Sequence, residues 1–142
     1  MKTKYTQILK VKDNILQKAQ AELELASSRL TEQKKSIEKT IQRQKNQTEP
    51  ESGSMAMFEQ NTLVRQTFML DLARKEKILR ELQTVVFQKQ ALYRRANIDY
   101  EKFKYLNAQE EKAIKDKKTL EEAKFLDEMG GRGFFAKKRK NK

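Results

Sequence analysis

The stretch FMLDLARKEKILRELQTVVFQKQALYRRANIDYEKF, residues 68–103, decides the fold. Leu72, Leu79, Val86, Tyr93 and Tyr100 recur every seven residues, with Phe68, Leu82, Ala96 and Phe103 at companion positions. Apolar residues at that spacing line one side of an α-helix and pack it against a second helix. Lys75 and Lys89 interrupt the companion row, but a long lysine stem lies along an apolar seam while its ammonium reaches water. Neither Gly nor Pro falls between Met55 and Met129. The pattern therefore predicts one helix over about 56–129.

Upstream, Ile8, Val11, Ile15, Ala19, Leu23, Ala26, Leu30, Ile37 and Ile41 form a second stripe, which predicts a helix over about 4–46. Between the two lies NQTEPESGS, residues 46–54, where Pro50 biases Glu49 away from helix and Gly53 permits unusual backbone angles. The chain is expected to reverse there, in a turn over about 47–55. The predicted fold is all-α: a single elongated domain over residues 1–142, built as a two-helix antiparallel coiled-coil hairpin with the longer helix second.

The unequal lengths have a consequence. At about 1.5 Å per residue the first helix spans roughly 60 Å and the second roughly 105 Å, so they cannot pair throughout. Simple matching about the turn puts Tyr5 near Ile98 and leaves residues 100–129 without an intramolecular partner. Past Tyr100 the seven-residue register meets Asn107 and Glu110, while Leu106, Ala113 and Leu120 begin another row that Phe125, Leu126 and Met129 close. An apolar stripe without a partner finds one by dimerisation or in a binding groove. Gly130, Gly131 and Gly133 are expected to end the helix near Met129, leaving residues 130–142 as a basic tail that carries Arg132, Lys137, Lys138, Arg139 and Lys140. Near the turn, Phe68 and Leu72 stand beside Met69 and Leu70, which broaden the apolar face beyond one stripe.

Composition narrows the function. The 142 residues are 37% charged and 37% hydrophobic, with 4 Gly and 1 Pro, a balance suited to helices that each bury one narrow stripe. Cys, His and Trp are all absent, which removes disulfides, thiolate nucleophiles, the commonest general base and the commonest soft metal ligands. An enzyme is not expected, and no cofactor or metal is implied. The pairs Glu110-Glu111 and Glu121-Glu122 sit among Lys112, Lys115, Lys117, Lys118 and Lys124, as solvated salt pairs do at helical spacing. No apolar run approaches the roughly 20 residues of a membrane span, and the opening residues lack the apolar core of a signal peptide, so a cytoplasmic location is expected. The net charge of +12 calls for an acidic partner. Binding to nucleic acid or ribosomes by charge, with Phe134 and Phe135 as stacking groups, is one alternative, disfavoured because no zinc finger, RNA-recognition signature or phosphate loop is present. A structural homodimer is another.

The stretch KDKKTLEEAKFLDEMG, residues 115–130, resembles the closing signature of the FliJ family of flagellar type III export proteins, a Lys-x-(Leu or Met)-Asp-Glu run carried here by Lys124, Leu126, Asp127 and Glu128. The likeness in architecture extends over nearly the whole chain. It implies a component of the export machine that binds the hexameric export ATPase much as a rotary stalk does, contacts the cytoplasmic domain of the membrane export gate, at whose periphery it would sit, and binds export chaperones. On that likeness, Leu120, Lys124, Phe125, Leu126, Asp127, Glu128 and Met129 are expected to contact the ATPase, with the basic end steering approach. Phe68 and Leu72 match the Phe-x-x-x-Leu pair that opens the family's gate-contacting surface; Lys75 and Leu79 depart from the residues that follow it.

Overall fold

The computed structural model describes residues 2–47 and 53–140, without the side chains of 132–140. Two helices, α1 (Thr6–Lys45) and α2 (Met55–Lys140), pack against each other in antiparallel sense, and no strand occurs among the described residues. Glu49 and Pro50 of the expected turn lie outside those residues. Each helix starts at a hydroxyl. Ahead of α1, the Thr3 hydroxyl oxygen accepts from the Tyr5 amide at 3.1 Å while the Thr6 hydroxyl oxygen accepts from the Thr3 amide at 2.9 Å, a reciprocal arrangement that satisfies amides left without intrahelical partners. Ahead of α2, Ser54 accepts from the Met57 amide through both its carbonyl oxygen and its hydroxyl.

Two compact units are distinguished along the hairpin: residues 15–97 form one, and residues 1–14 with 98–142 the other. In the first, Leu16, Ala19, Leu23, Ala26, Leu30, Gln33, Ile37 and Thr40 of α1 face inward at alternating steps of three and four. Phe68, Leu72, Lys75, Leu79, Leu82, Val86, Lys89 and Tyr93 of α2 do the same. Two helices alone shelter little surface: among the described residues only Ala26 and Thr40, at 5% and 6% exposure, are buried. Both seam lysines are accommodated as the long-stem argument expects. Lys89 pairs with Glu22 across the interface at 3.1 Å. Lys75 donates to the Thr40 hydroxyl at 2.6 Å and lies 3.5 Å from Asp71, and the Gln33 amide donates to the Lys75 carbonyl oxygen at 3.0 Å.

In the other unit Tyr5 meets Phe103, their ring centroids 6.3 Å apart, and Lys12 pairs with Asp99 at 2.7 Å with its ammonium 5.4 Å from the Phe103 ring. The Thr3 hydroxyl donates to Asn107 Oδ1. These contacts correct the expected register, because Tyr5 lies against Phe103 and not Ile98. Matching about the centre of the turn treats both of its sides as equal, whereas the first turns of α2 run on past the last turn of α1. Hence Tyr100, Phe103 and Leu106 are half-buried within the pairing, and uninterrupted exposure begins only at Lys112. The seven-residue register also holds through Asn107 and Glu110, since the start of α1 offers Asn107 a hydroxyl in place of an apolar neighbour.

Two further expectations are corrected. Ile8, Val11 and Ile15 are exposed, and the inward positions near the start of α1 belong to Tyr5, Leu9, Lys12 and Leu16. Ile8 and Ile15 share the spacing of the seam but stand one position before it, and mean apolarity could not separate the two rows. The second helix does not stop near Met129: it continues through the glycines to Lys140. A glycine ends a helix by taking a positive φ, and no described glycine does so.

Candidate functional site

The expected ATPase-contacting residues lie on a part of α2 that no other part of the described residues covers. Every residue from Lys112 to Gly130 is exposed, Phe125 at 61% and Leu126 at 68%. A side chain three or four positions along a helix is a neighbour, so Phe125, Leu126 and Met129 form one apolar patch. Phe125 and Leu126 also line a shallow open depression with Lys118, Glu121 and Glu122. Leu120 is exposed one turn earlier, and Lys124, Asp127 and Glu128 surround the patch with both signs of charge. The surface offers an apolar knob inside a charged ring, the composition of a protein-binding epitope. The backbone carrying Arg132, Lys137, Lys138, Arg139 and Lys140 continues this helix, so the basic run is helical to Lys140.

Phe68 and Leu72 are placed differently. Both occupy inward positions of the seam and are half-buried, while their neighbours Met69 and Leu70 are exposed. Phe68 lines an open groove of about 620 Å³ with Thr40, Arg43, Gln44, Val64 and Arg74 among others. The two sets of candidate residues therefore fall in different compact units. Among the described residues no cluster of His, Cys, Asp and Glu could hold a metal ion, and no helix is long and apolar enough to cross a membrane.

Two features escaped the sequence pattern. One is the exposed apolar start of α2, with Met55, Met57, Phe58 and Leu63. The other is a row formed by Ile78, Val85 and Leu92, each one position before a seam residue. Its spacing of seven was the available signal, masked by the stronger row beside it. Comparison with known proteins gave no match among curated proteins or among solved structures. The family model described as flagellar FliJ protein matches residues 1–139. That match takes in both helices and the exposed patch, and by it the chain belongs to the flagellar FliJ protein family.

Proposed function

We propose that this chain is a central-stalk-like protein that binds the flagellar export ATPase ring through the exposed stretch of α2 and couples the ring to the export gate. Membership of the family implies a function related to flagellar protein export, and a component without catalytic activity of its own is part of this reading. The observation that carries the finer reading is the uncovered segment from Lys112 to Gly130 with Phe125, Leu126 and Met129 on its surface. A lone helix is about 10–12 Å across, a dimension suited to entering a ring. Its apolar knob supplies contact area, and the basic residues toward its end raise the rate of encounter with an acidic entrance.

The gate contact is assigned to Phe68 and Leu72, supported by their spacing and by the open groove that Phe68 lines. Export chaperones are further partners in this reading, which places the protein in the cytoplasm at the periphery of the gate. The test is the double substitution Phe125→Ala and Leu126→Ala. Both side chains are exposed, so the hairpin should keep its helicity while stimulation of the export ATPase falls about tenfold or more, as for loss of two interface anchors. Undiminished stimulation with helicity retained would remove the assignment.

A further inference from the structure

Within the unit formed by residues 15–97, the two flanks of the seam differ. On one, Ile78, Val85 and Leu92 of α2 recur at seven-residue intervals with 44%, 37% and 47% exposure, and Ile15 and Leu25 of α1 are exposed on the same side of the seam. The Glu22 and Lys89 pair lies on this flank. On the other, the equivalent α2 positions are Glu76, Gln83, Gln90 and Asn97. A single exposed apolar residue signifies nothing. Three in heptad register on one flank, with polar residues on the other, describe an unfilled seam of the kind that receives a third helix.

The charges around the row indicate what fills it. Lys18 and Arg29 of α1 and Arg74 and Arg95 of α2 border the apolar row, against Glu32 and Glu81, and all six are exposed; the two other acids of this flank, Asp71 and Glu22, each lie beside a seam lysine, Lys75 and Lys89. Flanking charges choose the partner of a helical seam. Here they favour acidic flanks and, with a whole-chain charge of +12, oppose a second copy of the same chain. We infer that the Ile78–Val85–Leu92 flank is a docking seam for an amphipathic helix of another protein, apolar along one stripe and acidic on both sides of it. From Ile78 to Leu92 the row extends about 21 Å, which calls for at least four turns of partner helix. This site is separate from the ATPase and gate contacts proposed above and stands without them.

The test uses a synthetic four-heptad peptide with leucine at its inward positions and glutamate at the flanking ones, whose own acidity keeps it from pairing with itself, and a control with lysine in place of glutamate. Fluorescence anisotropy with the full chain should give saturable binding of the acidic peptide at least about tenfold tighter than the control. Ile78→Ser, Val85→Ser and Leu92→Ser together should weaken it by about tenfold or more, with unchanged circular dichroism. Gln83→Ser with Gln90→Ser, on the opposite flank, should leave it intact. Equal binding by the chain and the triple variant would overturn the proposal, because charge alone would then be responsible. A concentration-dependent dimer in sedimentation equilibrium that the triple variant abolishes would also overturn it, since a second copy would be the occupant.

Discussion

Thr40 and Lys75 form the one polar contact of the seam that involves a buried side chain among the described residues, and its strength can be worked out in advance. The Lys75 ammonium donates to the Thr40 hydroxyl at 2.6 Å, and that hydroxyl donates onward to the Ser36 carbonyl oxygen at 2.9 Å. Hydrogen bonds with a charged partner contribute about 1.5–3 kcal/mol. The lower end applies, because the Lys75 side chain keeps 25% exposure and Asp71 remains 3.5 Å away. Thr40→Val removes the acceptor and sets a methyl group in a buried position, which returns roughly 0.5 kcal/mol. The net loss is about 1 kcal/mol, or roughly 4 °C in the melting temperature of a chain this size. Lys75→Met removes the ammonium, leaves the Thr40 bond to Ser36 in place and adds an apolar seam residue, so it should be neutral or stabilise by about 1 kcal/mol. With both substitutions, Thr40→Val should cost almost nothing, for a coupling of about 1 kcal/mol. Urea denaturation of the four proteins, followed by circular dichroism at 222 nm, measures each term. Additivity within about 0.3 kcal/mol would refute the reasoning, since it would mean that the ammonium takes its solvation from water alone.

Two other predictions concern the unit that holds the end of α2. Gly130→Ala and Gly131→Ala place a methyl group where nothing lies within 4 Å, in backbone that is already helical. Each should favour helix by about 1 kcal/mol and raise the mean ellipticity, whereas a fall in helicity would show that these glycines take the left-handed cap conformation. Phe103→Ala removes a half-buried ring that meets Tyr5 and the Lys12 ammonium. It should cost about 2 kcal/mol, below the range for a fully buried Phe, and amide exchange at residues 5–12 should accelerate by roughly thirtyfold; unchanged exchange would show that the aromatic contact holds nothing in place.

The hairpin was legible because one row, Leu72 to Tyr100, repeats without a break, and because Pro50 and Gly53 separate it from a second periodic stretch. Register was not legible. A heptad pattern is unchanged by a slide of seven residues, so choosing among alignments needs particular cross-helix contacts, such as Thr3 with Asn107, which read in sequence only as interruptions. The wrong row at the start of α1 has a related origin: Ile8 and Leu9 are both apolar neighbours, and which of them faces inward depends on where the other helix lies. The exposed patch at Phe125 and Leu126 was found because inequality of helix length is a matter of counting. The helical continuation past Gly130 was missed because glycine identity does not specify φ.

The same cross-helix contacts act as a gauge. If α1 slid along α2 by one heptad, about 10 Å, Lys12 would come opposite Leu106 and lose its carboxylate, and Thr3 would come opposite Ile114 and lose its amide. Half-buried polar pairs at a solvent-accessible seam add little to stability, yet they reject the neighbouring alignments. They thereby set how many residues of α2 are left uncovered after Glu111, which is the distance by which a terminal surface can reach beyond its own support.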